Sequence, residues 1–199
     1  GTFDEAGTRF FRVIDYKTGS AEFSYTDLYY GLKLQLPLYL AAVAAADDAA
    51  HRALPAGFYY LPVKTPVLEE GLSGEALLKE VQKAFRLRGV SLKNAELLEA
   101  GGGPSVAPEK GTGVLDPEDF SAVAEFARRK AAQTAEAVRT GRAETAPYRK
   151  SKRDTACARC DYASVCGFDP TFGGCTYRSV RTVKADAFLE EARHETVDE

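Results

Sequence analysis

Asp15, Tyr16 and Lys17 stand in a row near the start of the chain. On a strand, side chains two apart share a face, so Asp15 and Lys17 project side by side. A carboxylate placed this way can hold a divalent cation, and an ammonium beside it can orient an attacking water or offset charge growing on a phosphate. The same pair also reads as an ordinary surface ion pair at a strand's end. Gln35 and Tyr39 lie four apart, on one face of a helix, where such residues either pack or orient a ligand. Near the far end, Cys157 and Cys160 bracket two residues, and Cys166 follows after five more. Two thiolates across a two-residue turn can reach one metal ion, and a third completes three ligands of a tetrahedral site. Without a metal they are small buried thiols.

Certain elements must carry these residues. Arg9 to Tyr16 (RFFRVIDY) is aromatic, branched and apolar on both faces between Gly7 and Gly19, which predicts a buried, central strand. From Asp27 to Ala46, helical spacing joins Leu28, Leu32, Leu36, Tyr39, Leu40 and Val43, with Thr26 or Asp27 as cap. Pro37 interrupts that run and predicts a kink or a new helix start. Pro55 to Val63 reads as a second strand, and Ser73 to Arg88 as a helix with Leu77, Val81 and Phe85 inward and Gly89 as terminator. Residues 89 to 115 read as a loop around Gly101, Gly102, Gly103 and Pro104, with one short helix near Leu92 to Ala100. Asp116, Pro117, Glu118 and Asp119 open a helix running to about Gly141. Its inner face is Phe120, Val123, Phe126, Ala127, Ala131 and Val138, with Arg128, Arg129 and Lys130 outside it. A cysteine-rich segment and a last helix around Ala185 to Arg193 close the chain. Strands alternating with helices predict an α/β core with a mixed sheet. The division falls at 1–145 for the core and 146–199 for the cysteine-rich tail and final helix.

The 199 residues carry 26 basic and 29 acidic side chains, a net charge of -3 that excludes a strongly basic nucleic-acid coat. No apolar run reaches the roughly 18 to 20 residues of a bilayer span, and no leader opens the chain, which points to the cytoplasm. Four cysteines crowded together suit a metal site in a reducing compartment better than a disulfide frame. The chain has no methionine and starts at Gly1, as a piece of a longer protein would. Arg149, Lys150, Lys152 and Arg153 form a basic run that fits DNA phosphates and a solvated loop equally well. His51 and His194 have no partner spacing, and no phosphate-binding glycine loop is present, so ATP hydrolysis is expected elsewhere.

Three stretches together resemble the AddB and RecB-like nuclease domains of the PD-(D/E)xK superfamily. They are RVIDYKTG (Arg12 to Gly19), LYYGLKLQLPLYL (Leu28 to Leu40) and TACARCDYASVCGFDP (Thr155 to Pro170). The resemblance implies a restriction-endonuclease-like core, truncated on its N-terminal side, in which Asp15 holds Mg2+ or Mn2+ and the Tyr16 carbonyl adds a ligand. It implies Lys17 as the residue that positions the water, and Gln35 and Tyr39 as the Q-x-x-x-Y pair that orients the strand. It also implies Cys157, Cys160 and Cys166 as three of four ligands of a 4Fe-4S cluster that staples the tail. The expected function is hydrolysis of single-stranded DNA in double-strand break repair, with a helicase subunit as partner. The family's upstream acid, in a G-R-I-D-R-like segment, a histidine or acid further back and the fourth cysteine are not matched here. Asp4 and Glu5 read as the hairpin before the strand, and Cys175 as a free thiol. Two alternatives stay open: an inactive DNA-binding or structural module of the same fold, and a zinc-stapled interaction domain in which Asp15 and Lys17 are a surface pair.

Overall fold

A computed structural model describes residues 2–5, 8–19, 22–46, 53–63, 66, 70–93, 113–142 and 144–197. Its centre is a five-stranded sheet in the order β1 (Thr2–Glu5), β2 (Thr8–Lys17), β3 (Ala53–Pro62), β4 (Arg88–Leu92) and β5 (Gly113–Leu115). The pairings alternate antiparallel, parallel, antiparallel and parallel, so the sheet is mixed. Strand β2 is second from the edge rather than central. β1 covers it only as far as Phe11, while β3 accompanies it to Lys17. That leaves Ile14 36% and Tyr16 66% exposed, so the strand's C-terminal half is not buried on both faces.

Helices α1 (Tyr25–Tyr29) and α2 (Gln35–Ala46) occupy the β2–β3 connection. The single run expected from Asp27 is therefore two helices, divided at Gly31, whose φ of 74° turns the chain. Pro37 lies in the first turn of α2, where a missing N–H would be unpaired anyway. Leu28, Leu36 and Leu40 are buried, but Tyr39 and Val43 are half exposed.

Helix α4 (Pro117–Arg139) starts where its proline and acids require, with Asp116 extended at the cap. Phe120, Val123, Phe126 and Ala127 are buried, whereas Val138 is 73% exposed. At 23 residues the helix is about 35 Å long and outruns the core it packs on. Arg129, expected outside, has an 11% exposed side chain near Glu125. Helix α6 (Ala185–Val197) returns to the same core, with the Phe126 and Phe188 rings edge to face at 4.9 Å. Phe11, Phe58, Val90, Leu28, Leu36, Leu40, Val123 and Phe188 form one cluster, so α1, α2, α4 and α6 cover one face of the sheet.

Two other expectations fail for physical reasons. Gly89 stops no helix; it lies in β4 opposite Tyr59, where a Cβ would come within 1.9 Å of the Phe58 carbonyl. The loop expected over 89 to 115 contains β4 and β5, and the short helix expected near Leu92 to Ala100 falls largely outside the described residues. Helix α3 (Gly74–Ala84) forms with its apolar stripe but buries no residue. Among the described residues no helix is long and apolar enough to cross a membrane.

Tyr25 packs on Phe23 and Phe188, and its hydroxyl is buried without a hydrogen-bond partner among the described residues. Burial, then the charge of Asp119, pushes this phenol up to about 12. The raised value means its contribution is complete below the unfolded pKa near 10 and is lost as pH climbs through 12. Tyr25→Phe should raise stability at pH 7 by about 1 kcal/mol, because it removes an unpaired hydroxyl. It should also flatten the loss of stability between about pH 10 and 12. Urea unfolding at both ends of that range checks both signs.

Candidate active site

The site forms where β2 ends over the N-terminus of α2. Asp15 and Lys17 share the helix-covered face with Val13 and lie beside Tyr60 of β3, which is opposite Asp15 in the parallel register. The Lys17 Nζ stands 2.7 Å from Asp15 Oδ2, 3.4 Å from Gln35 Oε1, to which it donates, and 5.4 Å from the centre of the Tyr60 ring. Gln35 Nε2 in turn donates to the Tyr39 hydroxyl at 3.1 Å. One line of contacts thus joins all four side chains singled out in the sequence. The first pair meets through strand period, the second through helix period, and the two pairs meet only through the fold.

Asp15 Oδ2 is shut off from solvent and accepts no aligned hydrogen bond among the described residues, although the Lys17 ammonium is close. The Lys17 ammonium at 2.7 Å is the cation that balances this oxygen, and such pairing is what offsets the cost of desolvating a carboxylate. The Lys17 carbonyl accepts from Val63 N–H at 2.9 Å, towards β3. Carbonyls alternate along a strand, so that of Tyr16 points to the side that β1 leaves uncovered. A buried carboxylate oxygen and an adjacent outward carbonyl are the hard donors that Mg2+ or Mn2+ prefers, so these residues fit such an ion. Among the described residues no three His, Cys, Asp or Glu side chains group as a metal cage.

The sequence reading missed two further residues, Tyr60 beside Lys17 and Asp27, whose charge acts on Tyr60. Tyr60 is 5% exposed, and its phenol is pushed up by burial and then by the charges of Asp15 and Asp27. It stays neutral and presents its ring to Lys17, a cation–π contact. Asp27, read only as a cap, is 4% exposed and ion-paired to Lys150 at 2.6 Å and Lys33 at 3.4 Å.

The tail places Cys157 in a short 3-10 turn (Ala156–Arg159), Cys160 directly after it, Cys166 at the end of α5 (Ala163–Cys166), and Cys175 beyond both. Cys160 and Cys166 are exposed, Cys157 and Cys175 half-buried, and all four are free thiols. Desolvation, then the neighbouring Cys157 thiol, raises the Tyr177 phenol, so Cys157 faces Tyr177. The donor chemistry suits iron or zinc, but the described residues do not gather three thiols into a cage. Of the basic run, all four residues are exposed, but Arg149 stacks over Tyr177 at 4.9 Å and the Lys150 ammonium pairs with Asp27, leaving Lys152 and Arg153 to solvent. His194 is exposed, and His51 lies outside the described residues.

Residues 4–167 match the PD-(D/E)XK nuclease superfamily. The ATP-dependent helicase/deoxyribonuclease B subunit of Alkaliphilus metalliredigens is 30% identical over 97% of this chain and 18% of its own length. The protein of the same name from Moorella thermoacetica is 34% identical over 90% of this chain and 17% of its own length. That from Clostridium tetani is 32% identical over 96% and 18%. The chain therefore spans less than a fifth of the relatives it matches.

Tyr60→Leu should release the Lys17 ammonium and raise its acetylation by acetic anhydride about tenfold, read by peptide mass spectrometry. Tyr60→Phe keeps the ring and should leave the rate within about twofold of the parent. Equal rates in all three proteins would remove the ring from the account of the site.

Proposed function

The chain belongs to the PD-(D/E)XK nuclease superfamily, and on that premise we propose that it is the nuclease domain of a helicase–deoxyribonuclease B subunit. It hydrolyses phosphodiester bonds of single-stranded DNA during double-strand break repair, with the strand delivered by a motor on a partner subunit in the cytoplasm. The single observation that carries this reading is the solvent-excluded Asp15 Oδ2 next to the Lys17 ammonium at the open end of β2.

In this reading Asp15 and the Tyr16 carbonyl hold Mg2+ or Mn2+. When bound, the cation polarises the phosphate and offsets charge on the leaving oxygen. Lys17 holds the water nucleophile in line and is itself aimed by Gln35 and Tyr60. Tyr39, half exposed and bonded to Gln35, contacts the strand. Residues 1–145 serve as the catalytic unit. In the tail from 146, Cys157, Cys160 and Cys166 bind a 4Fe-4S cluster with a fourth ligand from elsewhere in the parent protein. This cluster is structural.

Full-length protein with Mn2+ should cleave a labelled single-stranded oligonucleotide, and Asp15→Asn or Lys17→Ala should each lower the rate at least about 100-fold. Cleavage that survives both substitutions would assign the activity elsewhere. Binding without cleavage by the parent would favour the inactive module of the same fold.

Protein purified without oxygen should contain iron and acid-labile sulfide in equal amounts. Stoichiometric zinc without iron would replace the cluster with a zinc staple.

A further inference from the structure

Helix α1 has only five residues, yet both ends of the cysteine-bearing segment are fastened to it. At the segment's start, Lys150 reaches across 123 positions of sequence to the buried Asp27 carboxylate at 2.6 Å. At its end, Thr26 Oγ1 donates to the Val183 carbonyl at 3.2 Å and accepts from the Val183 N–H at 2.9 Å. One turn on, the Tyr30 hydroxyl accepts from Arg181 N–H at 3.3 Å. The tail is thus a loop tied at its base to the element that precedes Gln35.

Asp27 does more than receive the tail. Its N–H is capped by Ser24 Oγ at 3.2 Å, and its carbonyl accepts from Leu32 N–H at 2.7 Å, closing the turn at Gly31 from which α2 starts. Its charge also reaches Tyr60, the residue whose ring faces Lys17. Only the carboxylate of this pair is buried, the Lys150 side chain being 30% exposed, and pairing a desolvated carboxylate adds little net stability because desolvation offsets attraction; the attested use of such a pair is to set register. Lys33 is the second cation on this carboxylate, at 3.4 Å, and it comes from the Gly31–Gln35 turn itself. One carboxylate therefore ties the tail and the start of α2 to the same point.

We propose that Lys150, a residue of the cysteine-bearing tail, is a positioning residue for the hydrolytic site, acting through Asp27 to set where Gln35 stands relative to Lys17. This rests on the hydrolytic reading of Asp15 and Lys17. The tail then has a second task besides carrying thiols: it completes the alignment of the site when docked.

The test uses the full-length protein with Lys150→Met, Lys150→Arg, Asp27→Asn and the Asp27→Asn/Lys150→Met double variant. Lys150→Met should lower kcat on a single-stranded oligonucleotide about 10- to 100-fold, as small misplacements of a reacting group do, with KM changed less than about twofold. Iron content and the unfolding midpoint should match the parent, and Lys150→Arg should recover most of the rate. The double variant should be no slower than Asp27→Asn, because once the carboxylate charge is gone Lys150 has no link left to lose. Hydrogen exchange over residues 25–39 should speed up in Lys150→Met. Unchanged kcat with unchanged exchange would overturn the proposal, as would a kcat loss that follows lost iron or lost folded protein, or effects that multiply in the double variant. If the parent shows no cleavage that Asp15→Asn removes, the hydrolytic reading fails on its own. The exchange result then decides whether Lys150 orders the α1–α2 turn.

Discussion

Parallel pairing of β2 with β3 is the constraint on which the site depends. Two parallel strands cannot be joined by a tight turn; the chain must travel back across the sheet before it can pair again. Here that crossing carries α1 and α2 over the face that bears Asp15 and Lys17. The N-terminus of α2 falls above the C-terminal end of β2, and Gln35 arrives within hydrogen-bond reach of Lys17. An antiparallel hairpin at this point would leave the same four residues without a meeting place. The mixed pairing on either side holds the two strands in register while leaving the last residues of β2 open along one edge.

Charge at this end of the sheet is arranged in opposite-sign pairs, one within β2 and the others between separate segments. Asp15 faces Lys17, Asp27 faces Lys33 and Lys150, and Tyr60 lies within reach of both carboxylates with its phenol kept neutral. Each of these acids is thus balanced by an ammonium group of its own. Among the described residues, the buried carboxylate oxygen without an aligned hydrogen-bond donor belongs to Asp15, 2.7 Å from the Lys17 ammonium. The Tyr59 hydroxyl, on the opposite face of β3, is paired with Ser91 at 2.7 Å and shows how a buried polar group is satisfied.

The tail and the core are joined less by apolar burial than by directed contacts. Tyr162 and Phe172 are 74% and 69% exposed, and the small β6 (Tyr148–Arg149) and β7 (Arg178–Ser179) pair has two residues per strand. Such a segment cannot supply much hydrophobic stabilisation of its own. Its position is set by ion pairs and hydrogen bonds at α1 and by the return of α6 to the core through Phe188. A cross-link between its thiols would act on a loop whose two ends are already held.

Short-range geometry made part of this protein legible from the order of its residues. The strand period put Asp15 and Lys17 on one face, the helix period put Gln35 beside Tyr39, and Pro117 with its acids marked the start of α4. Covalent geometry enforces these spacings, so no partner element is needed to read them. Where burial depended on a partner, the same periods misled. The stripe on α3 buries no residue fully, Val138 lies past the end of the core, and Gly89 serves a close strand contact rather than a helix terminus. The Lys17–Gln35 contact, the Tyr60 ring under the ammonium and the Lys150–Asp27 pair were decided only by tertiary structure. Each joins residues whose separation carries no period, and each exists because a parallel crossover and a returning tail bring distant segments to the same strand end.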